Sequence, residues 1–330
     1  MVKRIGIDVG GTNVKIALVD GEGKIIYSNS VPTYAQMGYE YTVNNIKQAI
    51  RDLMKETNTE AKDIQGIGFD FPGQVDCKTG VVKNAPNIPG WVNVPIAQMI
   101  EEEFNIPTRI DNDVRCAALG ELKFGAGRGC ENFVCITVGT GIGSGLIVNG
   151  KLVRGASNAA GEIGHIRLAE SGPVGYGKEG SFEGFCSGGG LAQLGYMKAL
   201  EKSQAGIYPA YYTKGMQPAQ VTAQAIAEAA EKGDETALEV YRSCGEYLGK
   251  GLSVIIDFLN PEKIIIGSIF GRSGHLLRES MKAEIEKEAL KILEVETVTY
   301  DYKEGVVKNL PNIPGWVNIP LAKIIEDEFS

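Results

Sequence analysis

Two β-branched runs, Ile5-Gly6-Ile7-Asp8-Val9 and Val14-Lys15-Ile16-Ala17-Leu18-Val19-Asp20, flank the segment Gly10-Gly11-Thr12-Asn13. This arrangement constrains the fold more than any other part of the chain, because it predicts a β-hairpin whose turn carries no side chain at two positions. Backbone N–H groups there can approach an anion closely, and Thr12 adds a hydroxyl donor. Asp8, just before the turn, would repel bare phosphate but suits a hydrated Mg2+ on a nucleotide. An ordinary tight hairpin at the start of a domain is the plain alternative. A second element of the same kind weighs against it: Phe133 to Val138 runs into Gly139-Thr140-Gly141-Ile142-Gly143-Ser144-Gly145 and then Leu146 to Gly150. The pair reads as two halves of a nucleotide cleft. No Gly-x-x-x-x-Gly-Lys-Ser/Thr occurs, and neither hairpin has the strand, Gly-x-Gly-x-x-Gly and helix order of a dinucleotide fold.

Composition is compatible with a two-lobe enzyme. A chain of 330 residues with 43% hydrophobic content can bury a large core. A net charge of −8 argues against broad nucleic-acid or membrane-surface binding. The start enters a strand without an apolar leader, and no apolar stretch reaches membrane-spanning length, so a cytoplasmic location is expected. Six scattered cysteines without a Cys-x-x-Cys pair read as reduced thiols.

Periodicity predicts a third strand over 24–31, a helix over 41–56, a buried strand over 65–71 and a helix over 95–104 with Pro95 in its first turn. A strand-like run from Thr108 leads into Asp111-Asn112-Asp113, and 114–124 reads as a helix. Further helices are expected over 190–201, 222–232 and 236–259, followed by a buried strand over 263–267. The charged run from Glu284 to Lys291 reads as a solvated helix face. The expected division is an N-terminal lobe of 1–112, a C-terminal lobe of 113–302 and an atypical tail of 303–330.

The two Gly/Thr turns resemble the phosphate motifs of the actin, hexokinase and Hsp70 superfamily, and within it the ROK family of repressors and sugar kinases. The likeness extends in family order through Phe71-Pro72-Gly73-Gln74-Val75-Asp76, Pro86-Asn87-Ile88-Pro89-Gly90-Trp91, Asp111-Asn112-Asp113, Leu119-Gly120-Glu121 and Ala160-Gly161-Glu162-Ile163-Gly164-His165. It continues from Glu183 through Ser187-Gly188 to Asn260 and Gly267. The resemblance implies an α/β fold of two lobes, actin-like and ribonuclease H-like, with a cleft between the lobes. It also implies ATP with Mg2+, a sugar substrate and a homodimer.

Sugar phosphorylation needs a carboxylate beside the attacking hydroxyl, with Mg2+ and dipoles on the phosphoryl group. Asp113 fits the first role, although its place at a helix start equally suits an N-cap. Gly73, Asn87, Asn112, Glu162, His165 and Glu183 resemble the family's sugar ligands, and a satisfied loop residue is the alternative for His165. Glu162 and His165 lie three residues apart, on one side of any helical turn. Asp8, Gly10, Gly11, Thr12, Asn13, Lys15, Gly139, Thr140, Gly141 and Gly143 would face ATP, with Mg2+ near Asp8. Gly267, Ser268 and Ile269 would border the adenosine, although the family often has a further glycine where Ser268 stands.

The likeness fails in two places. Most kinases of the family hold a structural zinc through a His and three cysteines, whereas Val174, Tyr176 and Ser181 stand at the cysteine positions here. His165 alone cannot make a tetrahedral site, so no zinc is expected. The tail from Lys303 to Phe329 repeats Lys78 to Phe104, identical at 20 of 27 positions. Recombination with a paralogous gene and a true duplicated element both account for it. Glucose phosphorylated at the 6-hydroxyl is the expected reaction, with N-acetylhexosamine, mannose, fructose and allose open. A catalytically impaired sugar-binding or regulatory protein is the alternative.

Overall fold

The computed structural model describes residues 2–86, 88–290 and the backbone of 296–299. Asn87 and the whole repeat at 303–330 lie outside the described residues, so the expectations placed on them are not addressed. By packing, the described chain forms two units, one of 2–130 and 145–160 and one of 131–144 and 161 onward.

The first unit opens with strands β1 (Lys3–Val9), β2 (Asn13–Asp20) and β3 (Ile25–Pro32), then helix α1 (Tyr39–Glu56) and strand β4 (Ile64–Phe71). A small antiparallel sheet follows, of β5 (Gln74–Asp76), β6 (Val81–Asn84) and β7 (Val92–Val94). Helix α2 (Ile96–Phe104), strand β8 (Thr108–Asn112) and helix α3 (Asp113–Phe124) complete this stretch. The main sheet has the order β3-β2-β1-β4-β8. Its hairpin strands are antiparallel, while β1, β4 and β8 run parallel.

Alternation along the hairpin turns Ile5, Ile7, Val9, Val14, Ile16 and Leu18 into one core. Val43, Ile46, Ile50 and Leu53, at the three-and-four spacing of one helix face, bring α1 onto it. Trp91 is buried, with its ring 4.5 Å from Phe71 and 6.0 Å from Tyr39. Burying a large apolar side chain is worth about 1.5–3 kcal/mol, so this contact fixes the loop before β7.

The second unit contains β9 (Phe133–Val138) and the start of β10 (Ile142–Val148), which continues into the first unit and there pairs with β11 (Lys151–Leu152). It goes on through β12 (Val174–Gly175), β13 (Lys178–Glu179), α4 (Phe182–Cys186), α5 (Gly188–Gln204), α6 (Ala223–Glu231) and α7 (Glu235–Leu259). Strand β14 (Lys263–Ser268), helix α8 (Ile269–Glu288) and strand β15 (Glu296–Thr299) follow. The sheet order is β11-β10-β9-β14-β15, with β14 parallel to both β9 and β15.

The hairpins and long helices stand within a few residues of where periodicity puts them. The small β5–β7 sheet and the start of α8 were not read from the sequence. Glu284 departs from its expected solvated position: it is only 8% exposed, with Lys250 at 3.7 Å and Lys287 at 3.2 Å. The cause is Gly249 on α7, where an added Cβ would lie 2.7 Å from the Glu284 Cβ, so α8 approaches closely enough to cover that carboxylate. Residues 113–130, assigned to the C-terminal lobe from the sequence, pack with the first unit. Gly145 accounts for part of this, since an added Cβ there would meet the Ala118 Cβ at 2.4 Å.

Behind the end of β8 lies an ion cluster around a fully buried carboxylate. Asp111 accepts from Arg115 Nε at 2.6 Å and from Arg154 Nε at 3.1 Å and Nη2 at 2.9 Å. Arg115 Nη1 in turn donates to the Asn158 carbonyl at 2.7 Å, which ties the loop after β11 to the end of β8. Removing one member strands buried charge, so Asp111→Asn is expected to cost about 3–5 kcal/mol in urea denaturation. A loss below about 1 kcal/mol would show that the cluster is not a structural clamp.

Candidate functional site

In the first unit, the hairpin turn is exposed at Gly11, Thr12 and Asn13. Its shape is fixed from below: Gly10 N–H donates to the Asn13 carbonyl at 3.0 Å, and Thr33 Oγ1 donates to the Gly10 carbonyl at 2.6 Å. Lys15 Nζ sits 3.3 Å from Asp8 Oδ2. Strand register places Lys15, Asp8, Asp70 and Asp111 in one row across β2, β1, β4 and β8. Asp70 was missed in the sequence, although a carboxylate inside a run read as a buried strand was the available signal.

Asp70 is 6% exposed, and its Oδ1 has no hydrogen-bond partner. Burial first, then the charge of Asp8 and a hydrogen bond shared with it, hold the Asp70 carboxyl well above the usual carboxylate range. Asp113 also adds its charge.

At the end of β8 two adjacent residues divide the work. Asn112 is the N-cap of α3: its Oδ1 accepts from Val114 N–H at 3.1 Å and Arg115 N–H at 3.4 Å. Its Nδ2 donates to the Gly73 carbonyl at 3.2 Å. Gly73 is required there, with φ +101 and an added Cβ only 2.5 Å from the Asn84 carbonyl oxygen. Asp113 is therefore not the cap. Its Oδ1 accepts from Val114 N–H at 2.9 Å, and burial, opposed by that bond and reinforced by the charge of Asp8, raises its pKa to about 6.

In the second unit, Gly139 N–H donates to the Gly141 carbonyl at 2.9 Å and the Gly139 carbonyl accepts from Gly188 N–H at 2.8 Å. The second hairpin turn thus rests on the first residues of α5. Glu183 Oε2 accepts from Ile142 N–H at 2.9 Å, and an added Cβ at Gly141 would lie 2.6 Å from that oxygen. Gly143 lies within β10. Glu162 caps a single 3-10 turn, Ile163–His165, in which positions three apart eclipse. His165 N–H donates to the Glu162 carbonyl at 3.2 Å, which closes that turn.

The stretch that carries cysteines in zinc-binding kinases is here a β12–β13 hairpin. Tyr176 and Gly177 form its two-residue turn, both with positive φ, at 45 and 75. The Tyr176 ring meets the His165 ring edge to face at 5.2 Å, and Lys178 Nζ donates to the His165 carbonyl at 2.6 Å. Ser181 Oγ caps α4 by accepting from Gly184 N–H at 3.1 Å. These residues offer a zinc ion no thiolate.

Beyond the described geometry, the family model for the ROK family matches residues 4–303. The chain belongs to the ROK family. The match ends at Lys303, where the repeat of Lys78 to Phe104 begins. A glucokinase of Halalkalibacterium halodurans is 35% identical over 288 residues, covering 87% of this chain and 86% of that protein. A xylose repressor of Caldicellulosiruptor bescii is 31% identical over 288 residues, covering 86% of this chain and 70% of the repressor. Among solved structures, a ROK family glucokinase from Streptomyces griseus, in complex with glucose and AMPPNP, superposes with a TM-score of 0.71 at 29% identity. That likeness covers 91% of this chain and 95% of the other. The fold is the α/β actin-like ATPase fold of ROK sugar kinases.

Ser268 ends β14 with φ +67 and ψ −118, a strained backbone for a residue with a Cβ, and it is buried. Relief of that strain exceeds the entropy that glycine adds to the unfolded chain. Ser268→Gly is therefore expected to raise stability by about 1 kcal/mol in urea denaturation. An unchanged or lower midpoint would show that Ser268 is held by contacts worth more than the strain.

Proposed function

We propose that this ROK protein is an ATP-dependent sugar kinase acting on a hexose, with glucose and its 6-hydroxyl the first choice. The observation that carries this reading is Asp113, a carboxylate relieved of helix capping by Asn112 and held at a pKa of about 6. A group poised there is ionised at neutral pH and basic enough to take a hydroxyl proton. As the sugar hydroxyl oxygen forms its bond to the γ-phosphorus, its proton passes to Asp113. The bond from that phosphorus to the bridging oxygen breaks, and ADP leaves with the electron pair.

The remaining roles follow family position. Asn87, Asn112, Gly73, Glu162, His165 and Glu183 would bind the sugar, Glu183 through the carboxylate oxygen that does not accept from Ile142 N–H. Gly10 to Asn13 and Lys15 would hold phosphate oxygens, as would Gly139, Thr140, Gly141 and Gly143, with Gly267 and Ser268 beside the adenosine. Asp8 fits a magnesium ion, being a partly buried carboxylate at the mouth of an exposed N–H-rich turn. When bound there with the nucleotide, Mg2+ neutralises phosphate charge.

A sugar-binding regulator is the second reading, supported by the likeness to a xylose repressor. The two separate in a coupled assay of ADP release over a panel of hexoses. The kinase reading expects turnover with at least one sugar, and a fall in kcat of about 100-fold or more in Asp113→Asn with little change in sugar affinity. Sugar binding without ADP release, or wild-type turnover in the variant, would contradict it.

The donor set around His165 also supports a zinc-free protein, its hairpin held by the Tyr176 contact and by main-chain pairing. Metal analysis should find far less than one zinc per chain. Stoichiometric zinc whose chelation unfolds the protein would overturn this. No helix among the described residues is long and apolar enough to cross a membrane. A cytoplasmic homodimer is the proposed working form, to be checked by its mass in solution.

A further inference from the structure

Asp70 and Asp111 are buried carboxylates on neighbouring strands, in register with one another, yet they are satisfied in opposite ways. Asp111 has two arginines and accepts three hydrogen bonds from them. Asp70 has none of these. One of its oxygens has no partner, and the carboxyl otherwise meets Asp8, a second carboxylate. Two carboxylates in contact repel unless a proton or a cation lies between them. Lys15 reaches Asp8 at 3.3 Å and its charge acts on Asp70 against the charges of both Asp8 and Asp113. A buried carboxylate oxygen without a donor is costly, so its retention calls for a ligand.

We propose that Asp70 is the second protein carboxylate of a divalent-cation site, bracketing with Asp8 the Mg2+ that accompanies the nucleotide. The inference rests on the kinase reading above and adds to it a residue that the sequence reading had not assigned. Neighbouring strands lie about 4.8 Å apart, a spacing that lets the two carboxylates share one ion. Mg2+ characteristically uses one or two carboxylates and completes its shell with water and phosphate oxygens. A three-residue protein cage is accordingly not needed, and none is formed by the His, Cys, Asp and Glu of the described residues.

The test is titration of the full chain with MnCl2 and no nucleotide, following loss of the free-ion electron paramagnetic resonance signal. Wild type, Asp70→Asn and Asp8→Asn are compared, each first shown to be folded by circular dichroism. Asp70→Ala is carried alongside in case the amide does not fold. One ion per chain is expected for the wild type, at least tenfold weaker binding in every variant, and a thermal midpoint raised by Mn2+ in the wild type alone. A wild type that takes up no ion, or an Asp70 variant that binds as the wild type does, overturns the proposal. Sugar-dependent ADP release with Mg-ATP, measured on the same wild-type preparation, separates that outcome from a failure of the kinase reading.

Discussion

Carboxylates kept out of water are the constraint around which the first unit is organised. Asp8, Asp70 and Asp111 occupy one row of a sheet whose opposite face carries the isoleucine, valine and phenylalanine of the core, and Asp113 follows at the end of β8. Each buried carboxylate costs several kcal/mol unless compensated. Compensation is complete at Asp111, where two arginines converge, and incomplete at Asp8 and Asp70, where Lys15 is the cation at hand, and at Asp113, where Arg115 only partly offsets burial. The difference separates a structural anion from anions held ready for a ligand.

The step from β8 to α3 shows how this is done locally. A helix start needs acceptors for its first N–H groups, and Asn112 supplies one from its side chain. Asp113 then enters the first turn with one oxygen on Val114 N–H. It stays near Asp8, whose charge adds to burial in raising its pKa. Asp111, one residue earlier, is locked to Arg115 and Arg154, which holds the loop after β11 against the same point. Three consecutive residues thus supply a clamp, a cap and a carboxylate of raised pKa.

Much of this was legible in the sequence. The Gly10-Gly11 hairpin, the Gly139 hairpin, α1 and α7 follow from periodicities of two and 3.6 that burial enforces. What could not be read depended on partners distant in sequence. Asp70 acquires meaning through register with Asp8, which lies 62 positions away in the chain. Glu284 is buried because Gly249 lets two helices close up. That Asn112 and not Asp113 caps α3 turned on which of two adjacent polar residues the strand end aims at the helix amides, a matter of backbone geometry.

The central claim is that a partly buried Asp113, ionised above a pKa of about 6, is the proton acceptor. The measurement that bears on it most directly is kcat/KM for the preferred sugar from pH 4.5 to 8.5 at saturating Mg-ATP. A base must be unprotonated to act, so activity should be full above pH 7 and fall about tenfold per pH unit below a break near 6. A profile that stays flat down to pH 5, or whose acidic limb is unchanged in a variant lacking the Asp113 carboxylate, would contradict the account.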